Sequence, residues 1–211
     1  MTKPELLTDG LGETWFIARN YFKRHACCQY NHSTLEAVLA LRRGQSIDPA
    51  EVMAVRVETY DLAARLAGPA PETTLAAKFS IPYAVAAALV LGETGPEAFG
   101  SANLYNPAIR ALARRVTVAE DPALTAMLPD SRPARVTIVL LNGVKLVEEC
   151  RKSRGLPDNP FTSEELEEKY RRLATPVVGP ASAAAGQAAI RQLHLLPDMS
   201  ALTRHLRTDL G

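Results

Sequence analysis

Eleven residues near the start of the chain, Phe22 to His32, read FKRHACCQYNH and gather a lysine, an arginine, two histidines, two cysteines and a tyrosine. Four chemistries compete for such a stretch. A structural zinc site wants paired ligands such as C-x2-C or H-x3-H. Here Cys27 and Cys28 are adjacent, so an extended backbone turns their side chains to opposite faces. An iron–sulfur cluster needs three or four cysteines at set spacings, which the sequence does not offer. A redox reading fares no better, because a C-C pair is not C-x-x-C and a disulfide between neighbours is strained. The thiols therefore read as buried and inert, and a metal site is not expected.

Two readings stay open. In one, Lys23, Arg24, His25 and His32 form a carboxylate clamp. They lie just before a helix that opens at Ser33, and the free N–H groups and positive dipole end of a helix favour anions there. A lysine among other cations has a lowered pKa and can also exchange a proton. In the other, the stretch is a solvated basic loop. Other reactive side chains have plainer readings. Tyr83 sits on an apolar helix as a core tyrosine, Tyr60 ends a strand in either role, and His194 and His205 are surface or helix-end cations. No Gly-rich phosphate loop, nucleophile elbow or H-E-x-x-H is present.

The elements that must position these residues can be read from periodicity. Ser33 and Glu36 have capping-box spacing, and an apolar face runs from Leu35 to Leu41 before Gly44. Glu51–Tyr60 alternates as a strand, and Ser80 caps an apolar helix that ends at Gly92. Asn106-Pro107 opens a short helix, and Val116–Ala119 is a short strand. Two β-branched runs flank Asn142-Gly143, which predicts an antiparallel hairpin with a type I′ turn between Ala134 and about Arg151. Beyond a linker, Thr162 and Glu165 form a second capping box. That helix carries favourable i,i+4 charge pairs from Glu165, Glu167 and Glu168, and Pro176 should end it. An Ala-rich helix, from about Ala181 to Leu195, and a last helix capped by Asp198 follow. Strands grouped in the middle with an antiparallel hairpin give an α+β class. The divisions are a lead-in over 1–20, an α+β domain over 21–154 and a helical tail over 155–211, the tail being too small to bury a core alone.

Of 211 residues, 47% are hydrophobic and 22% charged, with a net charge of +1, which argues against a nucleic-acid or membrane surface. No secretory leader and no membrane-length apolar run appear, and three cysteines fit reduced thiols, so a cytoplasmic protein is expected.

Four blocks, in order, resemble the C-terminal part of the MmgE/PrpD family: GLGETWFIARNYFKRHACCQYNHSTLEAVLAL, KFSIPYAVAAALVLG, ARVTIVLLNG and GLPDNPFTSEELEEKYRRLA. That family includes 2-methylcitrate dehydratases, cis-aconitate decarboxylases and an iminodisuccinate epimerase. The resemblance implies a large all-helical domain with a smaller α+β domain inserted before the last helices, which return to the helical body. It also implies a homodimer that works without metal or organic cofactor. Lys23 and His32 match the family's active-site lysine and the histidine ahead of the helix, and so become the candidate catalytic residues. Arg24, His25 and Tyr30, neighbours of the matched positions, are the candidate substrate-binding residues, while Ser80 and Tyr83 match a block that packs near the cleft. The implied reaction removes a proton beside a carboxylate of a small di- or tricarboxylate, with dehydration of 2-methylcitrate the first expectation and decarboxylation or epimerisation the alternatives. The helical domain, which would complete the cleft, has no counterpart in these residues. A non-catalytic fragment, serving as a regulatory or dimerisation module of a longer paralogue, is the second expectation.

Overall fold

The computed structural model describes residues 3–207. Two compact units divide the chain, Met1–Pro160 and Phe161–Gly211.

In the first unit the helices are α1 (His32–Gly44), α2 (Asp61–Ala64), α3 (Thr74–Lys78), α4 (Ile81–Leu91), α5 (Ser101–Leu104), α6 (Pro107–Ala113) and α7 (Pro122–Thr125). The strands are β1 (Val52–Thr59), β2 (Val116–Glu120), β3 (Ala134–Leu140) and β4 (Lys145–Cys150). They form one mixed sheet in the order β2-β1-β3-β4, with β1 parallel to β2 and antiparallel to β3. This is an α+β fold. Helices α1 and α4 pack together over one face of the sheet, and that face holds the core. Val52 and Val55 both face it although they are three residues apart. A register shift between Val52 and Ala54 explains this, because the extra residue Met53 turns outward and resets the alternation.

Helix α4 is buried along nearly its whole length, from Ile81 to Leu89. Ser80 caps it as the sequence predicts: its Oγ accepts from the Tyr83 N–H at 3.0 Å and donates to the Gly68 carbonyl at 2.5 Å. Gly92 ends it at φ +76, a conformation that costs a residue with a Cβ. Arg42 reaches across from α1 to the Ala88 and Leu89 carbonyls, supplying a cation at the negative end of the α4 dipole.

The hairpin of β3 and β4 forms in the expected place with a different turn. Gly143 takes the left-handed conformation (φ +84), but among the described residues only glycines have positive φ, so Asn142 cannot occupy a type I′ position. Instead the Gly143 N–H bonds the Leu140 carbonyl, the Val144 N–H bonds Asn142 Oδ1, and the Leu140 N–H bonds the Val144 carbonyl. The asparagine works through its side chain, mimicking a backbone acceptor. At the sheet's edge, β4 is only partly covered, and its Glu149 takes a bidentate contact from Arg135 at 2.9 and 3.1 Å.

Ahead of the site, residues 3–22 include two short 3-10 turns and expose Leu6, Leu7, Leu11, Trp15, Phe16, Ile17 and Phe22.

The second unit contains α8 (Ser163–Arg191) and α9 (Ser200–Thr203). The predicted capping box is present, with Thr162 Oγ1 and the Glu165 carboxylate each bonding the other's N–H. Pro176 does not end the helix. The break comes at Gly179 (φ 79, ψ 160), just before Pro180, because only glycine enters that backbone region without strain. The two halves of α8 fold back on each other: Glu167 pairs with Arg191 across the hairpin rather than along its own helix, and Arg171 pairs with Glu168. A Cβ at Gly186 would lie 2.6 Å from the Tyr170 hydroxyl, so this glycine permits the close approach. Asp198 Oδ1 accepts from the Ser200 and Ala201 N–H groups at the start of α9. Among the described residues, no helix is long and apolar enough to cross a membrane.

Candidate functional site

The busy stretch wraps the N-terminus of α1, and long-range bonds hold its backbone. The Ala26 N–H bonds the Thr94 carbonyl at 2.9 Å, and the Cys28 N–H bonds the Lys78 carbonyl at 2.9 Å. A 3-10 turn, Gln29–Asn31, leads directly into α1. The helix starts at His32 with Asn31 as its N-cap and no capping side chain. The capping box expected between Ser33 and Glu36 is therefore not formed. Ser33 Oγ donates to the Arg132 carbonyl at 2.5 Å, and Glu36 turns to two cations. The helix begins one residue before Ser33, which leaves it inside the first turn, and Glu36 takes charged partners instead of a backbone N–H.

Glu36 is the hub of a buried network. Its carboxylate lies 3.2 Å from Arg24 Nη1 and 3.4 Å from His25 Nε2, and His25 Nδ1 is 2.5 Å from Thr94 Oγ1. Burial acts to raise the Glu36 carboxyl, but the His25 hydrogen bond and the charges of His25 and Arg24 overcome it, leaving the group below its ordinary range. The His25 ring is fully enclosed, while Arg24 is partly exposed. His25 meets His32 edge-on, with ring centroids 5.0 Å apart.

His32 is 1% exposed. It bonds the Cys27 backbone, and its Nε2 is buried without a partner. The Cys27 bond therefore falls to Nδ1, which must carry the proton to donate to a carbonyl, and Nε2 is left as a bare acceptor. Burial, then His25, then Lys23 push its pKa from 6.5 down to about 3, so the ring is neutral at physiological pH. Lys23 Nζ also donates to the Cys27 carbonyl, at 3.1 Å. That bond uses one of the ammonium's three N–H groups, and Lys23 itself is exposed.

The structure thus brings Lys23 and His32 together on the Cys27 backbone at the mouth of α1, with His25 edge-on to His32 and Arg24 joined to His25 through Glu36. Tyr30 lies slightly apart, its ring edge-on to Tyr60 with centroids 5.7 Å apart. Tyr83 is fully buried, donates to the Ala98 carbonyl at 3.0 Å and serves packing, as expected. The cysteines are free thiols: burial pushes Cys27 up to about 12 and Cys150 up to about 11. Among the described residues, no group of three His, Cys, Asp or Glu side chains is placed to hold a metal ion. Sequence reasoning did not find the roles of Glu36 and Thr94. Thr94 is 69 residues from His25, and nothing local distinguishes it from other loop threonines.

The arrangement suits an anion. It offers a cation with N–H groups to spare and an uncapped helix N-terminus.

A profile of the MmgE/PrpD C-terminal domain matches residues 25–195. Among curated proteins, the cis-aconitate decarboxylase-like protein oryM of Aspergillus oryzae (strain ATCC 42149 / RIB 40) is 26% identical over 190 residues. That similarity covers 83% of this chain and 38% of the relative, so the chain spans about two-fifths of the relative's length. The matched residues take in the helix that carries the site, the whole sheet and most of the tail, and the chain belongs to the MmgE/PrpD family, whose C-terminal domain it carries.

Proposed function

We propose that this chain forms one wall of an active site for a small di- or tricarboxylate, in a cytoplasmic enzyme whose other wall is an all-helical segment, the whole acting as a homodimer. The observation that carries the reading is the convergence of Lys23 Nζ and the His32 ring on the Cys27 backbone, with His32 Nε2 left bare. In the reaction, a proton leaves the carbon beside a substrate carboxylate and the negative charge spreads onto that carboxylate. Lys23 stabilises this charge or takes the proton. Stabilising developing charge in this way is worth roughly 3–4 kcal/mol per donor. His32, neutral and enclosed, assists by holding the Cys27 backbone that Lys23 bonds. Arg24 and Tyr30 would be further substrate contacts, and His25, held by Glu36, packs edge-on against His32. Elimination of hydroxide as water then completes a dehydration, with 2-methylcitrate or a similar hydroxy acid as the first candidate. The name of the Aspergillus relative supports loss of CO2 as the competing reading.

The test is co-expression with an upstream helical segment, followed by an assay over a panel of polycarboxylates. Lys23→Ala should lower kcat by about 10²–10³, the loss of one such donor. Turnover equal to the unmutated enzyme would remove Lys23 from the mechanism.

A further inference from the structure

On the other side of the α1 N-terminus lies a second set of polar groups without protein partners. Tyr60 closes β1 and is fully buried, and its hydroxyl has no hydrogen-bond partner. The β1–β3 ladder pairs Thr59 with Ala134, and Thr59 Oγ1 donates to the Pro133 carbonyl at 2.8 Å. Residues 131–133 therefore run beside Tyr60. Arg132 in this segment is half-buried, and no hydrogen bond or ion pair engages its guanidinium among the described residues. Burial raises the Tyr60 phenol, and the charge of Arg132 acts against that rise. Next to it, Ser131 Oγ is also buried and unpartnered. The acidic residues nearby do not neutralise the arginine: Asp61 is held by Arg65 at 3.3 Å, and no ion pair joins Asp130 to Arg132 among the described residues. A guanidinium taken partly out of water beside an unsatisfied phenol is costly unless a ligand satisfies both, and a carboxylate accepts from such a fork and a hydroxyl together. The segment is also fixed to the first site, because Ser33 Oγ, one residue after His32, bonds the Arg132 carbonyl at 2.5 Å.

We propose that Arg132 and Tyr60 form a second carboxylate-binding subsite, which holds a further carboxylate of the ligand whose reacting end meets Lys23. The identity of the ligand rests on the polycarboxylate reading above. The existence of the subsite does not require turnover.

Isothermal titration of the 211-residue chain with citrate, acetate and inorganic phosphate tests it, using the unmutated chain, Arg132→Gln, Arg132→Lys, Tyr60→Phe and Lys23→Ala. Citrate should bind the unmutated chain. Arg132→Gln should weaken it tenfold or more, while Arg132→Lys and Tyr60→Phe weaken it several-fold and acetate changes little. Circular dichroism identifies any variant that fails to fold, and the remaining two then decide. Equal citrate affinity in the folded variants, or no citrate binding by the unmutated chain, would overturn the subsite. Phosphate binding as tight as citrate and equally sensitive to Arg132 would overturn its assignment to carboxylates. Were Lys23→Ala to keep full turnover in the co-expressed enzyme while Arg132→Gln still weakened citrate, the catalytic reading would fall and the subsite would stand.

Discussion

The neutral, enclosed His32 makes a quantitative claim about acid sensitivity. Its native pKa is pushed to about 3, against 6.5 for an ordinary histidine. Because the native value is the lower one, the unfolded chain takes up a proton that the folded chain refuses. The contribution to stability is complete above about pH 6.5 and is lost progressively as the pH falls towards about 3. Well inside that window the slope approaches about 1.4 kcal/mol per pH unit. Between pH 7 and pH 5 the loss from this one group is about 2 kcal/mol, whether the native pKa is 3 or 4. The comparison needs a residue that keeps the donor to the Cys27 carbonyl and cannot ionise, and His32→Asn is that change. Urea unfolding followed by far-UV circular dichroism at pH 7, 6 and 5 gives the two slopes. The unmutated chain should lose about 2 kcal/mol more than His32→Asn over this range. Equal slopes would show that His32 protonates freely in the native state and is not held as a bare acceptor.

Other expectations follow from the packing. Ser80→Ala removes the α4 cap and the donor to the Gly68 carbonyl, and should cost about 1–2 kcal/mol, seen as a lower thermal midpoint; an unchanged midpoint would deny the cap any weight. Gly186→Ala drives a methyl against the Tyr170 hydroxyl, so a double-mutant cycle with Tyr170→Phe should show a coupling of about 1 kcal/mol or more, whereas strict additivity would mean the hairpin relaxes freely. At pH 8, thiol modification mapped by peptide mass should label Cys28 and spare Cys27 and Cys150, whose burial pushes them up to about 12 and about 11; labelling of Cys27 as fast as Cys28 would show the stretch to be open.

Features closed within a few residues were readable from sequence. The Ser80 and Asn106 caps and the Thr162–Glu165 box all form, because each depends on a serine, asparagine or threonine and the next turn of backbone. The hairpin was also readable, since two β-branched runs around a glycine have few other solutions, although its turn was not. Features decided at long range were hidden. Ser33 and Glu36 have the right spacing for a box, yet a carbonyl 99 residues away takes one and a guanidinium and an imidazole take the other. Arg42 lies in the last turn of α1 but bonds carbonyls of α4, a partner that nothing near it in sequence points to. Pro176 reads as a stop, but the break falls where a glycine can take a left-handed backbone. The site divides in the same way. Lys23 and His32 stood out through their chemical types and the family pattern, Tyr60 was noticed with its role left open, and Thr94 and Arg132 became visible only in the folded chain.

Strand β4 has a consequence for how copies of this protein meet. It is the outer rung of the sheet, with free amide and carbonyl groups along one side. Lys145, Glu148 and Glu149 occupy it, and Arg151 and Arg135 crowd onto Glu149. A foreign strand zipping onto that rung would have to strip water from this charged fringe before gaining its first bond. Lengthening the sheet from this side is therefore a poor route to assembly or to fibres, and any stable pairing of two molecules must draw on other surfaces.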